Sequence, residues 1–381
     1  MEPVELLKYC EKELPAMLRC LRQAVEMESP SRSKPHVDRI AKFFAQELKR
    51  TGGRVRILPH RTAGSAVLAE FWGARAPKAK KPILILGHLD TVWEVGTLKR
   101  MPYRLAEGRA YGPGIFDMKA GIIIGLWAVR ALRALETAPS GPVRFLLTPD
   151  EEISSLAFRQ EILAEARRAR AVLVIEPAAA GGALKTARKG VGEFRVTVQG
   201  RSAHAGINPA AGVNAINELA RQILRIERLA QAKQGLTVSV GLVEGGTRTN
   251  VVPESATATV DVRIPRLRDR QVIEWRMQNL KPYHPEARLV VEGGINRPPL
   301  ERKMAVDLFR TAKRLGAELG MDLTEAATGG GSDGNFTAAL GVPTLDGLGA
   351  VGDGAHALHE HIVVQELPRR AALLAALLAA L

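Results

Sequence analysis

Apolar residues recur at helical spacing over Val4–Met27 and Lys34–Lys49, and Gly52-Gly53 closes the second run. Both stretches predict amphipathic helices. Arg54–Leu58 and Ala66–Phe71 alternate as strands do. Four short apolar runs follow: Ile83–Leu86, Val143–Leu147, Ala171–Ile175 and Pro343–Leu348. Met118–Leu135 reads as an apolar helix between the first two. Unbroken apolar strands alternating with helices predict an α/β fold, a central, mostly parallel sheet flanked by helices.

Residues 187–297 carry a different pattern. Phe194, Val196 and Val198 alternate, a helix is expected over Ala211–Leu229, and strands over Leu236–Val243 and Ala256–Ile264. A second helix over Asp269–Leu280 and a strand over Ala287–Val291 complete the order β-α-β-β-α-β, that of a ferredoxin-like α+β module. We expect it to be inserted into the first domain, which then comprises residues 1–186 and 298–381. The closing helix, Leu367–Leu381, returns to pack on that α/β domain.

Composition narrows the function classes. The chain has 381 residues and a net charge of +14. The basic residues are scattered and only 4% of residues are aromatic, so a stacking platform for nucleic-acid bases is poorly supplied. An anionic small substrate suits the charge better. Cys10 and Cys20 are the two cysteines. On one continuous helix they stand about 15 Å apart, beyond the reach of about 7 Å that a disulfide allows. The first thirty residues alternate in charge without an apolar core, so no signal peptide is expected. Gly121–Val129 and Ala371–Leu381 fall short of a membrane span. A soluble cytoplasmic protein, engaging neither nucleic acid nor membrane, is the expectation.

Each apolar run ends in polar residues, and ligands of parallel sheets bind beyond the carboxyl ends of the strands. The ends present His88, Asp90, Glu151, Glu152 and Glu176, with Asp117 before the apolar helix and His356, His359 or His361 near the C-terminus. Taken singly, a His-x-Asp is usually a loop and a Glu-Glu pair a solvated helix start. Taken together, converging carboxylates are costly to bury without a cation. Imidazole with carboxylate suits zinc, and a shared carboxylate suits a pair of ions. One of the adjacent acids Glu151 and Glu152 can bind metal while the other takes a proton.

Gly87-His88-Leu89-Asp90-Thr91-Val92, Gly112-Pro113-Gly114 through Asp117-Met118-Lys119-Ala120-Gly121, and Thr148-Pro149-Asp150-Glu151-Glu152 resemble the signatures of the co-catalytic zinc aminopeptidase-like superfamily. Gly200–Gly206, Asn250-Val251-Val252-Pro253 and Gly329–Gly334 continue the likeness. It is similar, more narrowly, to the family of glutamate carboxypeptidase, aminoacylase, acetylornithine deacetylase and succinyl-diaminopimelate desuccinylase, with the glutamate carboxypeptidase branch nearest. The resemblance implies a zinc-peptidase catalytic domain with an inserted lid and dimerisation domain. It implies two zinc ions per chain, with cobalt or manganese as substitutes. His88, Asp117 and Glu176 would hold one ion; Asp117, Glu152 and His356 the other. Glu151 would be general base toward a water held between the ions, and Asp90 would orient His88. The family spacing of a histidine and an acid four residues later selects His356 ahead of Glu360, with His359 as the alternative.

The same resemblance implies that His204 reaches the site of a homodimeric partner and stabilises an oxyanion, and that Asn250 lies near the substrate. A local backbone role is the plain alternative for His204. Arg263 is suited to a substrate carboxylate, against a strand-face salt bridge, and Gly330 and Gly331 to close backbone approach, against a mere turn. A small peptide or N-acyl amino acid with a free carboxylate is the implied substrate, and a deacylase or desuccinylase the runner-up to a carboxypeptidase. Gly330-Gly331-Ser332-Asp333-Gly334 also fits G-x-S-x-G, so a serine hydrolase built on Ser332 is a rival, but it leaves the acids and His88 unexplained. A non-catalytic binding protein is the third reading, with no expected ligand or base missing to support it.

Overall fold

The computed structural model describes residues 2–73, 80–231 and 234–381. The chain divides into two compact units. The first comprises Met1–Ala187, Arg302–Thr328 and Ser332–Leu381; the second comprises Arg188–Glu301 and Gly329–Gly331.

The first unit is built on a six-stranded sheet. Its order is Arg54–Leu58, Ala66–Phe71, Val143–Thr148, Ile83–His88, Ala171–Val174 and Thr344–Leu345. The last four run parallel, and the first two add an antiparallel edge. Parallel strands need both faces covered, which is why their sequences are mainly apolar; the arginine among them, Arg144, is paired with Glu70 and Glu165. One face packs Leu84, Leu86, Leu146, Val172 and Val174 against Phe158, Ile162 and Phe336. The helix Ala120–Ala134 carries the apolar run Ile122–Trp127, all buried. A Cβ on its Gly125 would sit 2.6 Å from the Phe145 ring, so the glycine sets how closely helix and sheet approach. The helix Glu366–Ala380 lies against it and buries Arg370 entirely. That guanidinium donates to the carbonyls of Gly182, Gly347 and Gly349.

Several expectations are corrected. The helix over Val4–Met27 is two helices, Pro3–Lys12 and Leu14–Val25, interrupted at Glu13; Pro15 has no N–H with which to continue the ladder. Cys10 and Cys20 are both buried free thiols. The apolar helix begins at Ala120, because Asp117 and Met118 take non-helical backbone angles. The Pro343–Leu348 run is a strand only at Thr344–Leu345. A small sheet of Gly352–Asp353, His361–Val363, Arg109–Tyr111 and Arg104–Ala106 was not anticipated. Among the described residues no helix is long and apolar enough to cross a membrane.

The second unit follows β-α-β-β-α-β. Its antiparallel sheet has the order Thr237–Gly245, Ser255–Ile264, Gly190–Gln199 and Arg288–Arg297. Burial alternates residue by residue along Gly190–Gln199, as a strand with one covered face requires. Phe194, Val196 and Val198 pack with Leu219 and Ile226 of the helix Ala215–Glu227 and with Ile273 and Met277 of the helix Leu267–Gln278. Asn214 caps the first of these by accepting the N–H of Asn217. The edge strand Thr237–Gly245 leaves Leu242 66% and Val243 56% exposed.

Candidate metal centre

Three neighbouring parallel strands deliver most of the acids. His88 is the last residue of Ile83–His88 and stands in register with Thr148. Glu151 and Glu152 follow Thr148 in a short 3-10 turn, Glu151–Ile153. Glu176 lies two residues beyond Ala171–Val174, whose Val174 is in register with Leu86. Strands with one direction and one register end together, so their next residues meet. Asp117 enters from the turn Ile115–Lys119 ahead of the apolar helix. His356 enters from the turn between Gly352–Asp353 and His361–Val363, with φ 62.

Two groups form, each compact enough to hold a metal ion: His88, Asp117 and Glu176, and Asp117, Glu152 and His356. His88 Nε2 lies 3.3 Å from Asp117 Oδ1 and 3.6 Å from Glu176 Oε1. His356 Nε2 lies 3.4 Å from Asp117 Oδ2 and 3.3 Å from Glu152 Oε1. His359 is in neither group; its carbonyl receives His361 Nδ1.

The charges are poised for a cation. Burial raises the Glu152 carboxyl to about 7, the Asp117 charge adds to this, and contact with His356 opposes it. Asp117 is held below the ordinary carboxylate range although burial pushes it up, because both imidazoles bond it. Burial lowers the His88 ring, but Asp117 and Asp90 outweigh it and leave the ring above its usual value. Glu152 Oε1 is buried with no hydrogen-bond donor, although His356 Nε2 lies 3.3 Å away. Hard and borderline donors of this kind, with an orphaned carboxylate oxygen among them, fit divalent ions such as zinc.

Buried carboxylates brace these groups. His88 Nδ1 bonds the Asp90 backbone carbonyl at 3.0 Å, with Asp90 Oδ1 3.3 Å away. The same Oδ1 accepts the Glu151 N–H, while Oδ2 accepts the Glu152 N–H and the Ser31 hydroxyl. Glu360 is the residue that sequence reasoning left without a role. Fully buried, it accepts Trp93 Nε1 and the N–H groups of Gly114, Phe116 and Asp117. It thereby fixes the turn that presents Asp117, and its signal was only an acid four residues after His356. The Gly112-Pro113-Gly114 run serves this turn.

Ser332 is corrected as a nucleophile. It is fully buried, donates its hydroxyl to Asp346 Oδ2 at 2.6 Å and accepts the Gly334 N–H. Its proton thus goes to a carboxylate, where a hydrolase serine needs an imidazole.

The remaining expected residues lie in the second unit. His204 is exposed, and its Nδ1 accepts the N–H groups of Gly206 and Ile207, each at 3.1 Å. The Asn250 carbonyl accepts the Ala205 N–H, which ties the two loops together. Arg263 is engaged on its own strand by Asp261, with Nη2 at 2.8 Å and Nε at 2.9 Å. The carbonyls of Gly330 and Gly331 both receive Arg188 Nη1 at 3.2 Å.

Comparison with known proteins adds the lineage. The family model of peptidase family M20/M25/M40 matches residues 84–380. Carboxypeptidase G2 of Pseudomonas sp. (strain RS-16) is 30% identical over 376 residues, covering 96% of this chain and 89% of that protein. Succinyl-diaminopimelate desuccinylase of Dechloromonas aromatica (strain RCB) is 27% identical over 327 residues, 80% of this chain and 85% of that protein. Among solved structures, the M20 family metallo-carboxypeptidase Sso-CP2 of Sulfolobus solfataricus shares the fold with a TM-score of 0.72, at 17% identity over 95% of this chain and 98% of that one.

Proposed function

Since the chain belongs to peptidase family M20/M25/M40, we propose that it is a two-metal carboxypeptidase, splitting the amide bond in front of a free C-terminal amino acid. Hydrolysis of a C–N amide bond follows from the membership itself. The observation that carries the two-metal reading is Asp117, whose Oδ1 faces His88 and whose Oδ2 faces His356. One carboxylate thus serves both ligand groups.

In this reading His88, Asp117 and Glu176 hold one zinc, and Asp117, Glu152 and His356 the other; cobalt and manganese fit the same donors. The ions, when bound, supply a polarised water of lowered pKa and a Lewis acid for the substrate carbonyl. Glu151 takes the proton of the attacking water and returns it to the nitrogen as the C–N bond breaks. Asp90 holds the Glu151 backbone through its N–H, so the base does not swing with its turn.

The partner subunit's His204 stabilises the oxyanion of the tetrahedral intermediate. Because Nδ1 already accepts two backbone N–H groups, the ring proton sits on Nε2, which supports Nε2 as the donor. Exposed Leu242 and Val243 on an edge strand support a homodimer formed through the second unit. Asn250 lies beside His204 in the same pair of loops and contacts the substrate with it. Arg263 takes the α-carboxylate by exchanging its Asp261 partner, and the +14 net charge favours such a substrate. Gly330 offers backbone alone, with open space where a Cβ would stand, and it approaches the substrate together with Gly331. The buried free thiols fit a reducing, cytoplasmic compartment.

Release of the N-acyl group from an amino acid is the second reading, favoured by the likeness to the desuccinylase. A panel of C-terminal glutamyl amides, other peptides and N-acetyl or N-succinyl amino acids, incubated with the zinc-loaded protein, separates the two. Fastest release of a C-terminal glutamate supports the carboxypeptidase, and preference for the succinylated substrates replaces it with the runner-up. No turnover of any amide refutes both.

A further inference from the structure

Asp333 carries a buried carboxylate that no step above uses. It is 3% exposed, and a carboxylate in such a place is costly unless it is hydrogen-bonded. Its donors are specific. Oδ2 accepts the Thr148 hydroxyl at 3.1 Å, and Oδ1 accepts the Ser155 hydroxyl in a short bond. Thr148 is the last residue of Val143–Thr148, and Ser155 lies just beyond the 3-10 turn that carries Glu151 and Glu152. One side chain therefore spans both ends of the excursion between residues 148 and 155.

The excursion has reason to be held. Ser154 and Ser155 have φ of 79 and 51, a left-handed conformation that side chains other than glycine adopt reluctantly. Such residues persist where their surroundings over-determine them. Inside the excursion, Ser155 N–H bonds the Asp150 carbonyl and Ala157 N–H bonds Asp150 Oδ2. These internal bonds shape the turn, but none ties it to the sheet. Asp333 does, at the strand end that stands in register with His88. The Asp90 contacts to Glu151 and Glu152 fix the same turn from a second side.

We infer that Asp333 is a positioning residue for Glu151, locking the turn of the general base to the strand end beside His88. The inference rests on the proposed reading, in which Glu151 moves the proton. Displacing a reacting group by about 1 Å costs on the order of 10²-fold in rate.

The test compares the full chain with Asp333→Ala, Asp333→Asn and Ser155→Ala by two readouts. The first is amide hydrogen exchange across residues 150–156 of the metal-free protein. The second is kcat and KM of the zinc-loaded protein on its best amide substrate. For Asp333→Ala we expect exchange in the turn to quicken by about tenfold, and kcat to fall about 10²-fold with KM within about twofold. Asp333→Asn, which keeps one acceptor, recovers part of both, and Ser155→Ala moves both the same way by less. Unchanged exchange in the turn overturns the inference, as does a loss confined to KM. Should Asp333→Ala fail to fold, Ser155→Ala and Thr148→Val carry the same readouts. If the wild-type chain hydrolyses no amide, the functional reading fails, while the exchange arm still decides whether Asp333 holds the turn.

Discussion

The carboxylate of Asp90 accepts the backbone N–H of Glu151 at 3.1 Å. The same side chain faces His88 and accepts the N–H of Glu152. One fully buried residue therefore contacts a candidate metal ligand, through its carbonyl and its carboxylate, and holds the peptide that carries the proposed base and a second candidate ligand. Replacing Asp90 by Asn leaves a single acceptor oxygen, so one N–H of the Glu151–Glu152 turn meets an NH2 group. Groups that orient metal ligands typically cost about 10–100-fold in metal affinity or activity when changed. Chelator competition and kcat measured on Asp90→Asn should both show losses of that order. Values close to wild type would mean that the turn is held without Asp90.

The proposed reading gives Glu151 and Glu152 different functions. Glu151→Gln keeps the size of the side chain and leaves both ligand groups intact. General bases contribute about 10²–10⁴-fold. The expected outcome is full metal content with kcat reduced by that factor. Near wild-type turnover in this variant removes Glu151 as the base.

Metal uptake should expel protons. Close contact with the Asp117 and Glu152 carboxylates raises the metal-free His356 ring to about 10, against partial burial. Its folded pKa thus lies above the ordinary value of about 6.5, and the ring carries a proton at neutral pH. In the metal-free chain its stabilising contribution is complete below about 6.5 and is lost as the pH rises through about 10. A metal needs the bare nitrogen. Zinc affinity should therefore climb as the pH is raised from 6 toward 8, with Glu152, at about 7, adding to the trend. Calorimetry in buffers of different ionisation enthalpy reads the released protons directly. A pH-independent affinity contradicts the assignment of His356.

His204 tests the proposal that two subunits share a site. His204→Ala should lower kcat by about 10²–10³-fold, the usual loss of one oxyanion donor. Mixing it with Glu151→Gln should restore activity, because each mixed dimer holds one site with both residues intact. Mixtures no more active than their components would confine His204 to its own chain or to a backbone role.

The strand ends were legible because buried parallel strands write themselves as mainly apolar runs, and three of the runs are followed within three residues by His88, Asp150 or Glu176. Asp117 was legible as an acid before an apolar helix, but its non-helical turn was not, since it depends on Glu360 arriving from the far end of the chain. The small sheet joining Arg109–Tyr111 to His361–Val363 escaped for the same reason. Its strands are two or three residues long, too short for a period, and the pairing of His361 with Tyr111 that joins its two halves spans 250 positions. Ser332 stood as a rival because G-x-S-x-G fixes spacing and says nothing of which group receives the hydroxyl proton. Arg263 could be read two ways from an alternating strand, and in this structure the Asp261 two residues before it holds the guanidinium.

The most direct test of the account is anomalous diffraction at the zinc edge from zinc-loaded crystals of the wild-type chain and of Asp117→Ala. The account predicts two peaks about 3.5–4 Å apart in the wild type, one bounded by His88 and Glu176 and the other by Glu152 and His356, and the loss of both when the shared carboxylate is removed. A wild-type map with no peak among these side chains, or an Asp117→Ala map with both peaks at full height, would contradict it.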